Sequence, residues 1–191
     1  MSSKGKWNKY TLPMPPNHGW KCSAGHNLFI ADRGAVRFEF PEAWTHGPED
    51  DGSIGFHDRK PPADDVSLRA SVLHLPPGLP MAALDRDLPL DKLIVDAVAR
   101  DTRGVAFDGR VHRQPKPDAQ VVWVHMTFTD PAEQRAARSR MCMARARGVQ
   151  PLITMDYWDD QAAQFEPVWD HVMRTLWVAT PIAGVGGESA N

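Results

Sequence analysis

The chain has 191 residues, 42% of them hydrophobic and 24% charged, which suits one domain with a sizeable core. Twenty-two Lys and Arg against 24 Asp and Glu leave a formal charge of −2, removing the electrostatic case for a strong nucleic-acid or anionic-membrane binder. No stretch approaches the roughly 18 apolar residues of a membrane span, and Cys22 and Cys142 alone make no disulfide framework.

Residues 1–27 are rich in Pro, Gly and Lys, including Leu12-Pro13-Met14-Pro15-Pro16, and read as an irregular N-terminal arm. Its positive charge is not followed by the apolar core of a signal peptide, so the cytoplasm is the default location. Residues 28–178 are expected to form a single α+β domain. In Ala35–Phe40, Val36, Phe38 and Phe40 alternate with Arg37 and Glu39, the period-two pattern of a strand with one buried face. A polar turn at Asp50–Ser53 leads to a strand expected at Ile54–Arg59. Val66–Leu75 alternates again, and Pro76–Pro80 must leave the sheet because proline cannot donate to the ladder.

Leu90, Leu93, Ile94, Ala97 and Val98 form one helical stripe beginning near Pro89, with Asp87 as the expected cap and Gly104 as the stop. Four more strands are expected near Val105–Arg113, Val121–Thr129, Ser139–Arg147 and Leu152–Trp158. Val121–Thr129 is apolar on both faces, as in a central strand. Asp130–Arg138 fits either a helix or a connection between antiparallel strands. A last helix within Asp160–Val178 has the stripe Phe165, Val168, Trp169, Val172 and Leu176. Asp159 or Asp160 is its expected cap, and Pro167 marks a kink or the true first turn. Residues 179–191 have the composition of a flexible tail.

Strands in runs, not in strict alternation with helices, predict a largely antiparallel six- to seven-stranded sheet with helices packed on it. At this point the chain resembles the PsbP-like α/β/α sandwich family. The resemblance rests on Val36-Arg37-Phe38-Glu39-Phe40-Pro41-Glu42-Ala43-Trp44, similar to that family's opening strand, Pro and Trp. The strand Val121–Phe128, and the pair Arg140–Arg147 and Leu152–Trp158 leading into the last helix, also follow its manner. The resemblance implies action mostly by binding other proteins, and it carries over no catalytic motif.

Several constellations bear on chemistry. His18, Cys22 and His26 put three possible metal ligands in nine residues, but Pro15, Pro16, Gly19 and Gly25 oppose the helix that would align them, and no fourth ligand is apparent. No metal or cofactor is therefore expected. Asp156, Asp159, Asp160, Glu166, Asp170 and His171 could supply acid–base chemistry, against the plainer reading of acids complementing a helix dipole. Cys142, between Met141 and Met143 in a strand, reads as an inert buried thiol. No nucleophile elbow or phosphate loop occurs. Arg135, Arg138, Arg140, Arg145 and Arg147 form the densest basic run, read as solvated strand ends or a contact for an acidic protein ahead of RNA. Trp7, Trp20 and Trp177, with Arg135 and Arg138, are the candidate interface residues, because binding hot spots favour Trp and Arg.

The expected function is a non-enzymatic protein-binding, assembly or chaperone-like module. It would have a protein partner or self-associate, without nucleic acid or membrane insertion. The alternative is a small-ligand-binding protein or hydrolase with a site built from dispersed polar residues.

Overall fold

Val36–Pro41 (β2) follows its alternation: Val36, Phe38 and Phe40 are buried and Arg37 faces outward. In this computed structural model, which describes residues 21–178 apart from Pro77 and Arg147, β2 is the centre of a small antiparallel sheet. Its neighbours are His26–Ala31 (β1) and Trp177–Val178 (β11).

Among the described residues a second, larger sheet has eight antiparallel strands. These are Thr45–Pro48 (β3), Ile54–His57 (β4), Val66–His74 (β5), Ala106–Phe107 (β6), His112–Arg113 (β7), Gln120–Asp130 (β8), Arg135–Arg145 (β9) and Val149–Trp158 (β10). Their order across the sheet is β3-β4-β5-β10-β9-β8-β6, with β7 also paired to β8. The helices are Met81–Asp87 (α1), Leu90–Ala99 (α2) and Ala162–Thr175 (α3). No helix among the described residues is long and apolar enough to cross a membrane.

Two cores lie on opposite faces of the large sheet. On one, Phe56, Leu68, Ile153, Met155 and Tyr157 pack with Phe38 and Phe40 of the small sheet and Phe165, Trp169 and Val172 of α3. On the other, Leu90, Ile94 and Val98 of α2 cover Val122, Val124 and Met126, flanked by Met141 and Met143. Each fully buried side chain of this size contributes about 1.5–3 kcal/mol relative to exposure. The result is the expected α+β layering. The large sheet exceeds six to seven strands because Val105–Arg113 divides into two short strands and Thr45–Pro48 adds an edge.

Several local expectations differ from the structure. Strand β1 starts at His26, inside the segment read as arm. Asp87 ends α1 and caps nothing; Pro89 occupies the N-cap of α2 without a side-chain bond. Asp130–Arg138 holds no helix: residues 131–134 connect β8 to β9, the Asp130 carboxylate accepts from the amides of Ala132 and Glu133, Gln134 has φ +52°, which closes the turn, and Arg135–Arg138 already belong to β9. Asp159 and Asp160 give α3 no side-chain cap, because both carboxylates pair with arginines of β9. Pro167 lies inside α3, and Trp177 lies in β11 beyond the helix.

Candidate functional site

A cleft of about 200 Å³ opens where the start of β5 meets the ends of β8 and β10. Its walls include Asp65, Ser67, Arg103, Phe128, Asp156 and Trp158. Arg103, on the loop after α2, organises one side. It donates to Asp101 at 2.7 Å, to Asp156 at 3.1 Å and to Ser139 Oγ at 3.2 Å, with its guanidinium 4.5 Å from the Phe128 ring centre. The hydrogen bonds from Arg103 hold the Asp101 carboxyl below the usual carboxylate range. The same bonds to Asp101, reinforced by Asp156, raise Arg103 in turn.

The opposite side is held by carboxylates near the start of β5. Asp58 Oδ1 accepts from the amides of Asp65 and Val66. Asp65 pairs with Arg59 and accepts from Gln161 at 3.0 Å, and the Gln161 bond lowers its pKa. Asp64 faces His57 Nδ1 at 2.8 Å, and Glu49 faces His57 Nε2 at 3.1 Å. Gly55 permits that arrangement: a Cβ there would collide with the Glu49 carboxylate and stand 2.8 Å from His57 Nε2. The cleft therefore offers a polar floor and an aromatic wall, with its charges matched internally. Such a shape suits a small polar molecule laid on Phe128 and Trp158.

The acid–base constellation read from the sequence is not assembled. Asp156 lines the cleft, whereas Asp159 pairs with Arg138 at 2.6 Å and His171 lies against Glu39 at 2.8 Å on the small-sheet side. Strand alternation explains the parting: Asp156 faces away from α3, and the chain turns into a 3-10 segment at Asp159.

Arg135, Arg138 and Arg140 of the arginine run clamp β9 to α3 and to the 3-10 turn before it. Arg135 Nη2 donates to both carboxylate oxygens of Asp160, at 2.6 and 2.8 Å, and its guanidinium lies 4.6 Å from the Trp158 ring centre. Arg138 bridges Asp159 and Glu166, which raises its pKa, with the Asp159 bond the largest cause. Arg140 meets Glu166 at 3.0 Å and Asp170 at 3.5 Å. Arg145 is 1% exposed and paired with Asp85. Trp177 is 37% exposed beneath the Arg37 guanidinium, 4.7 Å from its ring centre. Cys22 is exposed, and the His26 ring stacks on His171 at 3.9 Å. Cys142 is fully buried and its thiol is pushed up to about 12 by desolvation. Trp7, Trp20, His18 and Arg147 lie outside the described residues.

The sequence reading missed one surface. Leu73, Leu79 and Leu88 are 59%, 37% and 49% exposed. Leu73 pairs across the strand with Gln150, Gln150 accepts from Arg145 at 2.8 Å, and Arg145 donates to the Leu88 carbonyl at 2.9 Å. The two leucines therefore flank one hydrogen-bonded node. Helix α1, which buries no residue, lies between the loop bearing Leu79 and Leu88. A leucine in the outward phase of β5 was the available signal.

The model of one protein family, described as Alr1449, matches residues 27–182. The uncharacterized protein alr1449 of Nostoc sp. strain PCC 7120 is 40% identical over 173 residues, spanning 90% of this chain and 86% of its own length. Among solved structures, cyanobacterial PsbP (CyanoP) from Synechocystis sp. PCC 6803 superposes with a TM-score of 0.54 at 14% identity, over 83% of this chain and 98% of its own. LpqN of Mycobacterium tuberculosis, involved in cell envelope biogenesis, gives 0.55 at 11% identity, over 80% and 89%. At such identities the likeness is one of fold, and the fold is PsbP-like.

Proposed function

The chain belongs to the Alr1449 family, and from that premise together with its PsbP-like fold we propose that it is a non-enzymatic protein-binding module that docks a protein at the corner formed by Leu73, Leu79 and Leu88. A single exposed leucine needs no explanation. Leu79 and Leu88 flank in sequence a helix that buries nothing, and Leu73 is tied to Leu88 through Gln150 and Arg145, so three leucines are offered for a partner to cover. The buried Arg145 node holds Leu88 against the sheet, so the surface is presented on a fixed frame.

Site-specific photocrosslinking tests this reading. A crosslinker at Leu73 is expected to trap a defined protein or a second copy of the chain. With the crosslinker kept at position 73, the Leu79→Asp/Leu88→Asp double variant should lose the adduct at an unchanged melting temperature. A chain that stays monomeric and yields no adduct overturns the reading.

A second reading, small-ligand binding, is favoured by the aromatic wall of the cleft. It requires saturable quenching of Trp158 fluorescence that Arg103→Ala weakens.

A further inference from the structure

We propose that His26, Glu39 and His171 form a binding site for a divalent transition-metal ion of the zinc type. The three residues come from β1, β2 and α3, and their ligand atoms all lie within 4.8 Å of one another. Two imidazole nitrogens and one carboxylate make a mixed nitrogen and oxygen donor set, which suits Zn²⁺ or Co²⁺, whereas Ca²⁺ and Mg²⁺ prefer oxygen alone.

The surroundings orient each ligand. His26 Nδ1 stands 3.0 Å from the Ala24 carbonyl and donates to it, which leaves Nε2 as a bare lone pair. That outer hydrogen bond is the arrangement metal-ligating histidines adopt. Glu39 is 8% exposed, its backbone amide donates to Thr175 Oγ1 at 3.0 Å, and its Oε2 accepts from the Ser23 amide at 3.2 Å. His171 stacks under His26 with 13° between the rings, so both imidazoles are ordered before an ion arrives. Ligand atoms around a tetrahedral zinc stand about 3.4 Å apart. Rotation of the half-buried His26 closes the set and leaves a fourth position that no described residue of the cluster fills.

Arg174 Nη2 lies 2.6 Å from His171 Nδ1, and a guanidinium can only donate. Nδ1 therefore accepts, and Nε2 carries the proton that Glu39 Oε2 receives at 2.8 Å. An ion on Nε2 displaces this proton, Nδ1 takes one up, and exposed Arg174 turns away. The imidazole stays neutral and changes tautomer.

Among the described residues the site takes His26, and not Cys22, from the sequence set His18, Cys22 and His26. The test is titration of the tag-free, chelator-stripped full chain with Co²⁺, followed by visible absorption, and with Zn²⁺, followed by calorimetry. One equivalent and a tetrahedral Co²⁺ spectrum are expected. Glu39→Gln and His171→Ala should weaken binding roughly a hundredfold, the scale of a lost ligand or its orienting partner. His26→Ala, a substitution at a half-buried strand end, should weaken it at least about tenfold while far-ultraviolet circular dichroism is unchanged. Absence of a Co²⁺ spectrum in the wild type, or wild-type affinity in His26→Ala, overturns the proposal.

Discussion

Arg145, 1% exposed in β9, donates from Nη1 to the carbonyl of Leu88 2.9 Å away and pairs with Asp85 at 3.2 Å. One buried guanidinium thus joins the large sheet to α1 and to the residue that follows it on the way to α2. Truncating it strands a carboxylate and a carbonyl that folding has partly desolvated.

Arg145→Ala should therefore destabilise the protein by about 3 kcal/mol in urea unfolding, the scale of breaking a buried pair. Amide exchange in Met81–Asp87 should accelerate beyond the global effect, because α1 has no buried side chain of its own to hold it. Asp85→Asn, which keeps an acceptor for Arg145, should cost only about 1 kcal/mol. Equal costs for the two variants would show that the corner does not hang on the arginine.

Gly55 and Glu49 should be coupled. Gly55→Ala places a methyl where the Glu49 carboxylate now meets His57, so it expels that carboxylate and costs about 1–2 kcal/mol. In a Glu49→Ala background the obstacle is gone, and the same substitution should cost less by about 1 kcal/mol. Additive costs in this double-mutant cycle would mean that the His57 ring, not Glu49, sets the need for glycine.

The cleft wall should weaken in acid. Asp101 is held below its ordinary pKa mainly by the Arg103 hydrogen bonds, so the folded state binds that proton less readily than the unfolded chain. Its contribution is then fully present above the unfolded value of about 4, and it is lost as pH falls through the lower folded value. Thermal unfolding should show Asp101→Asn less stable than wild type at pH 7, with the gap narrowing below about pH 4. A gap independent of pH would assign the loss to packing.

How legible this structure was in the sequence depended on how strongly each residue was committed to a face. Val36, Phe38 and Phe40, or Leu90, Ile94 and Val98, set their apolar side chains on one side of the element, so alternation or a helical stripe located their elements. His26–Ala31 alternates poorly, because Leu28 and Phe29 are both half-buried on opposite sides of a thin sheet. Thr45–Pro48 contains Gly and Pro and stays largely exposed, so composition spoke against a strand that only the β4 edge explains. Met81–Asp87 has good helix formers but no buried stripe, leaving nothing periodic to read. The cleft and the His26–Glu39–His171 cluster assemble residues far apart in sequence. Their residue types were visible, but their meeting was set by strand register and by the return of α3 across β2.

The position of β10 bears on how the chain is made. Strands β3-β4-β5 and β6-β8-β9 are two separate ribbons until Val149–Trp158 slots between β5 and β9. During synthesis from the N-terminus, Val66–His74 must wait with one edge unpaired while everything up to Arg145 emerges. The long loop closure makes assembly slow compared with a hairpin meander of equal size. Ribosome-bound chains truncated before Val149 should be the most aggregation-prone species in the protein's life, and the cell's folding machinery meets it in that state.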